Sequence, residues 1–234
     1  MNSHTETLTM IALVAAMTLG GQLGYCGSDA TSQDGQRIDK LSFEGKSLRE
    51  AIRNLCRTFA RPICLEESPI FSKQRLSREE VHTRMQAKSA GVDVTVTNAL
   101  LDEVLDARCK FDDQYEWTHD RNTAFINVFP KSNAPMSWVI GDLAIANMTI
   151  RRVLASDVLE LREHRILPDP QSGKLTWLDS KVSLVATNIP VREALNRLCA
   201  QTDPALRWEV FDPLRTGTGC LSLWFYPLAS EQGP

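Results

Sequence analysis

The sequence predicts an α+β fold of two tandem small modules, each with two helices packed between short two- and three-stranded sheets. Three observations carry this. The segment REAIRNLC at residues 49–56 returns almost unchanged as REALNRLC at residues 192–199. Four segments pass from a period of two to a helical apolar spacing in one common register. Two of these four are followed by paired extended runs that end in an aromatic residue and proline, Phe129-Pro130 and Tyr226-Pro227.

The register is counted from Leu48, Leu101, Ile150 and Val191 as the first apolar residue of each helix. Three residues on stand Ala51, Val104, Val153 and Ala194; four on stand Ile52, Leu105, Leu154 and Leu195; eight on stand Cys56, Cys109, Val158 and Cys199. That spacing gives a helix one buried stripe. Seven and five residues before the origin are Leu41 and Phe43, Val94 and Val96, Leu143 and Ile145, and Leu184 and Ala186, the alternation of a half-buried strand. Three before it are Gly45, Asn98, Asn147 and Asn188, residue types that tolerate a left-handed backbone.

Helix starts have local support. Ser47 and Glu50 have capping-box spacing, Thr149 is placed to cap the third helix, Pro190 suits the first turn of the fourth, and the second has only Asn98. Residues 115–118 with 124–129, and 206–211 with 220–226, are hairpin candidates whose intervening residues have turn chemistry. The modules are expected at residues 39–130 and 138–228, joined by an exposed connector around Lys131-Ser132-Asn133-Ala134-Pro135. Two connectors remain. Residues 76–81, LSREEV, read as a helix start on their capping box or as a strand on the alternation from Val81 to Lys88. Residues 166–178 read as a loop with one extended piece around Trp177.

The order of strand, helix, connector, strand, helix and hairpin, with its Arg-Glu-Ala helix start, resembles the N-terminal domain shared by secretins and TonB-dependent receptors, the STN domain. The matching residues are 41–56 and 94–109 in the first module, and 184–199 with the weaker 143–158 in the second. The resemblance implies a periplasmic module that contacts partner proteins. Gating and transport do not carry over, because the membrane-embedded part of such proteins is not matched.

Residues 1–30 read as a signal peptide: the run at residues 8–19 is apolar and shorter than the ~20 residues a bilayer span needs. LGYC at 23–26 also resembles a lipoprotein lipobox, with a lipid anchor at Cys26, although Tyr25 departs from the small residue usual there. The expected location is therefore the periplasm or envelope, with no transmembrane span in the mature chain. Without residues 1–30 the chain carries 26 basic and 27 acidic side chains, and the whole-chain pI is about 5.9. Bulk charge predicts neither nucleic acid nor an anionic membrane as partner.

Chemical templates are missing. There is no G-x-S-x-G, P-loop or H-E-x-x-H, and no C-x-x-C for zinc; the histidines at 82, 119 and 164 stand apart. Gly217-Thr218-Gly219 reads as a hairpin tip, while Asp112-Asp113 and Asp102-Glu103 are neighbours in sequence only. Cys56, Cys109 and Cys199 share the stripe position that Val158 also fills, so they read as small core residues. No cofactor is expected. The sequence thus points to a non-enzymatic module that binds a protein partner of the cell envelope, with a small-ligand-binding or regulatory protein as the alternative and an enzyme of unrecognised type as the second. One surface feature suggests a contact: Arg49, Arg53, Arg57 and Arg61 recur every four residues beside the first apolar stripe. They read as a solvated flank or as a ridge for an acidic partner.

Overall fold

Strands β1 (Ile38–Ser42) and β3 (Thr95–Ala99) lead into helices α1 (Leu48–Phe59) and α2 (Leu101–Phe111) and pair antiparallel with each other. In the second half β6 (Val139–Thr149) and β8 (Lys181–Pro190) do the same ahead of α3 (Ile150–Ala155) and α4 (Val191–Cys199). The computed structural model describes residues 37–43, 46–67, 94–111, 114–168, 176–202, 206–211 and 220–228. The expectations for the leader, Cys26, LSREEV, Asp112-Asp113 and the glycine-rich tip at 217–219 lie outside these residues. Among those described, no helix is long and apolar enough to cross a membrane.

The repeated register has a physical basis at each strand-to-helix corner. Asn98, Asn147 and Asn188 all take left-handed backbone, with φ of 49°, 50° and 51°. Ser47 Oγ accepts from the Glu50 N–H, and Glu50 Oε2 accepts from the Ser47 N–H at 3.0 Å. Those bonds to Ser47, the backbone one first, hold the Glu50 carboxyl below its usual range. Thr149 Oγ1 accepts from the Arg152 N–H. At the second start Glu103 supplies what the sequence lacked, its carboxylate accepting from the Leu100 N–H at 2.8 Å. Pro190 is the residue before the helix, one position earlier than expected, and has no side-chain cap to offer.

Two expectations fail on local grounds. The third helix ends at Ala155, where the Ser156 N–H bonds back to Arg152 and Val153 carbonyls, so Val158 reaches the core from a turn and not from a helix. The second connector is a strand where a loop was expected, β7 (Ile166–Pro168), and a 3-10 turn (Thr176–Asp179) where extension was expected, with Trp177 buried in it.

The larger difference is in the sheets. A short strand after α1, β2 (Ile63–Glu66), is unforeseen, and with β4 (Tyr115–His119), β5 (Ile126–Pro130), β9 (Leu206–Phe211) and β10 (Leu221–Pro227) it builds one six-stranded sheet in the order β4-β5-β2-β9-β10-β7. The expected three-stranded sheets are thus halves of a single sheet, joined where β2 runs parallel to β9 with Leu65 opposite Glu209 and Glu66 opposite Val210. The Glu67 N–H extends the seam to the Val210 carbonyl at 2.8 Å.

Alternation along these strands divides the core by face. Ile63, Leu65, Ile126, Val128 and Tyr115 join α1, α2, β1 and β3 in one apolar cluster. Cys64, Leu206, Trp208, Val210, Leu223 and Phe225 point the other way, into a second cluster with α3, α4, β6 and β8. The two pairs of helices therefore lie on opposite faces, each between a two-stranded sheet and its own half of the six-stranded one. Cys56, Cys109 and Cys199 are buried in these cores, as is Cys64, and no described cysteine is in a disulfide. Burial pushes the Cys64 and Cys199 thiols well up, which suppresses their thiolate chemistry.

Lys131, Ser132 and Asn133 are exposed, but Met136, three residues on, is fully buried. A tryptic nick after Lys131 is expected to leave both fragments eluting together in native size-exclusion chromatography and separating only in denaturant. Separation in plain buffer would contradict the continuous sheet.

Candidate functional site

Each helix pair covers only half of its face. On the α1 side the β9–β10 half presents Arg207, Glu209 and Phe211 opposite Tyr226, Trp224 and Ser222. On the α4 side the β4–β5 half presents Asn127 and Phe129 opposite Thr118 and Glu116. Each of these polar half-faces receives side chains from the duplicated Arg-Glu-Ala helix of the other half of the chain.

From α1, Arg53 grips Glu209 through both oxygens, Nε to Oε1 at 3.2 Å and Nη2 to Oε2 at 3.0 Å, and also reaches the Tyr226 hydroxyl. Arg49 lies over the Phe211 ring at 3.6 Å, with its Nε 3.3 Å from Glu67 and 3.5 Å from Glu209. Arg207, fully buried, donates to Glu209 at 2.7 Å and lies over the Tyr226 ring. From α4, Arg192 lies over the Phe129 ring at 3.8 Å and donates to Glu66 at 2.6 Å, while Glu66 also accepts from the Met136 N–H at 2.8 Å. Asn196 donates to Asp120 at 2.7 Å and Asn127 at 3.1 Å and accepts from the Trp208 indole at 2.8 Å. Arg49 matches Arg192 in the repeat, and Arg53 matches Asn196, so equivalent positions make the reciprocal contacts on the two faces.

The arginine ridge is thereby divided. Arg49 and Arg53 are drawn onto the sheet and are no solvated flank; Arg57 is exposed, and Arg61 is partly exposed with an interaction of its own. Helical spacing placed Arg49, Arg53 and Arg57 beside the stripe, whereas Arg61 lies beyond the end of α1 because the chain turns left-handed at Ala60; the spacing could not show that a second strand pair lies against that flank. The alternation of Arg207 and Glu209 with Leu206, Trp208 and Val210 was the available signal, and it reads as a strand with one wet face.

The two fully buried carboxylates, Glu66 and Glu209, are shifted in opposite directions. For Glu209 desolvation is the largest single influence and pushes its pKa up, but the Arg207 charge and the Arg53 hydrogen bonds and charge together outweigh it, so it lies below its usual 4.5. For Glu66 desolvation prevails over the Arg192 bond and charge and the Met136 N–H, so it lies above 4.5. Burial, with the Glu209 charge adding, pushes the Tyr226 phenol far up. Elsewhere His119 lies 3.2 Å from Asp102 on the outer side of α2, and His164 stacks on Trp138 at 3.7 Å. Among the described residues no three His, Cys, Asp or Glu side chains are grouped to hold a metal ion. Guanidinium and aromatic groups dominate the two polar half-faces. Comparison of the chain with protein-family models, curated proteins and solved structures finds no match.

Glu209→Gln, which leaves Arg207 buried beside a neutral partner, is expected to cost about 3–5 kcal/mol of stability at neutral pH. Because the folded pKa of Glu209 is depressed, its contribution exists above 4.5 and is lost as pH falls through the folded value. Glu66 has the opposite sign: its raised folded pKa gives a contribution that is full below 4.5 and lost as pH rises through the folded value. Denaturant unfolding across pH should show the Glu209→Gln deficit shrinking in acid, and the stability of wild type relative to Glu66→Gln declining as pH rises. Parallel pH profiles for the two variants would refute this assignment.

Proposed function

We propose that the chain is a non-enzymatic protein-binding or assembly module of the bacterial cell envelope, two STN-like modules at residues 39–130 and 138–228 that serve a secretion or outer-membrane complex. Export through residues 1–30, with a lipid anchor at Cys26 as its variant, belongs to the same reading, as does a protein partner in place of a nucleic acid or a cofactor.

The observation that supports it best is the β6–β8 ribbon. Its strands, of 11 and 10 residues, pair only with each other among the described residues. Of the outward positions Gly141, Ala144, Ala146, Ser183 and Thr187 are small and uncharged, Val139 and Val185 are 53% and 79% exposed, and Asp142 and Lys181 are the exposed charges. Long, open edges with little charge are what an extended partner segment can join by main-chain hydrogen bonds. Arg57 remains the cation of the ridge that can orient an acidic partner by long-range charge, which affects encounter rate most.

A photo-crosslinking residue at Val185 is expected to capture one protein from an envelope extract, with no capture when the same group is placed at exposed Lys131. With that protein in hand, Val185→Glu should weaken binding about tenfold, equivalent to ~1.4 kcal/mol, without changing the thermal midpoint. Unaltered affinity would remove the ribbon from the binding surface. The second reading, a small-ligand or regulatory protein, is favoured by unfilled donors around Phe211.

A further inference from the structure

We propose that the corner formed by Arg49, Phe211 and Trp224 binds a carboxylate group. The inference stands on the polar half-face of β9–β10 and does not rest on the ribbon as a protein-binding surface.

Arginine recognises carboxylates through a fork, Nε and Nη2 side by side, which meets two oxygens at once. Three arginines on the two polar half-faces can be compared on that basis. The Arg53 fork is filled, with one donor on each oxygen of Glu209. The Arg192 fork has its Nε on Glu66 at 2.6 Å and its Nη2 buried without a partner. The Arg49 fork is unfilled at both atoms: Nε and Nη2 are buried, and neither makes a hydrogen bond. Arg192 occupies the equivalent place in the duplicated helix, also stacked on a phenylalanine, and a carboxylate is what its fork holds.

The carboxylates already near Arg49 do not fill it. Glu67 and Glu209 stand 3.3 and 3.5 Å from Nε, within ion-pair distance but out of hydrogen-bonding geometry. Glu209 is engaged by Arg53 and Arg207 through three hydrogen bonds. A buried donor without an acceptor is costly, and more so when it is charged, so a missing acceptor is the economical explanation.

A second donor lies against the same ring. Trp224 meets Phe211 edge-on, with centroids 4.8 Å apart, and its indole Nε1 is buried without a partner. An indole N–H can only donate, so it too asks for an acceptor oxygen. The Phe211 ring holds the guanidinium plane by cation–π contact and leaves the fork edge to the ligand. The Arg49 side chain is 23% exposed, so the corner is reached from the surface.

The full chain, labelled with 15N in its tryptophans, gives the test. The Trp224 indole resonance is assigned from its loss in Trp224→Phe, then followed during titration with sodium acetate, inorganic phosphate and sodium chloride at matched ionic strength. A saturable shift with acetate, tighter than any with phosphate and missing with chloride, is expected. Arg49→Lys keeps the charge and loses the fork, so it should weaken acetate about tenfold, while Arg152→Lys, exposed on α3, should leave the response unchanged. Drift that is linear and alike in all three salts overturns the site and leaves the donors to water. Saturation by phosphate alone overturns the carboxylate assignment, and an unaltered acetate affinity in folded Arg49→Lys overturns the role of the fork.

Discussion

The parallel pairing of β2 with β9 is the constraint on which the remaining structure depends. Either half of the sheet alone would be three short strands with an open edge and one face left bare by its helices. Joining the halves at this seam buries both edges and makes β2 and β9 interior strands, every residue of which is buried. The seam also decides which bare half-face lies beside which duplicated helix. Each face is then apolar where its own helices sit and polar where the other half of the chain contributes the strands.

The ion pairs across the seam are better understood as register devices than as sources of stability. Removing charged groups from water costs several kcal/mol per ion, and a buried pair often does no better than well-packed apolar residues. Their placement matters more. Glu66 and Glu209 belong to the two residue pairs that define the β2–β9 seam, and they point to opposite faces. A slip of one residue would turn either carboxylate away from its arginine and into an apolar cluster. The apolar residues alone would object less, because Val, Leu and Ile occur on both sides of the seam.

Much of this was legible in the amino-acid order. The left-handed asparagines before α2, α3 and α4, the buried stripes, the Ser47 cap and both hairpins follow from periodicity and turn chemistry, which are local properties. What escaped reading was short or depended on distant chain. β2 is four residues between the end of α1 and residues whose arrangement the periodicity could not settle, and β7 is three residues ending in proline, too few to establish any period. Arg49 and Arg53 lie on a flank that helical spacing marks as polar, and polar is what they are. Glu209, which Arg53 bonds and Arg49 only approaches, is 156 residues after Arg53, and no local pattern relates them.

The two helices that share the Arg-Glu-Ala segment solve one problem differently. At the first repeated position both keep arginine over a phenylalanine ring. One turn later α1 has Arg53 and α4 has Asn196, and this difference alters the charge balance of the faces. Asn196 is neutral and donates to two acceptors while accepting an indole proton, so the α4 side closes as a network with Arg192 matched to Glu66. Arg53 adds a cation that takes up the Glu209 oxygens which Arg49 would otherwise hold, and Arg207 claims them as well. A charged side chain at this position of α1 and a neutral one at the same position of α4 therefore accompany a difference in the forks beside them: Arg192 keeps Nε on Glu66 and has Nη2 without a partner, whereas Arg49 has neither donor filled.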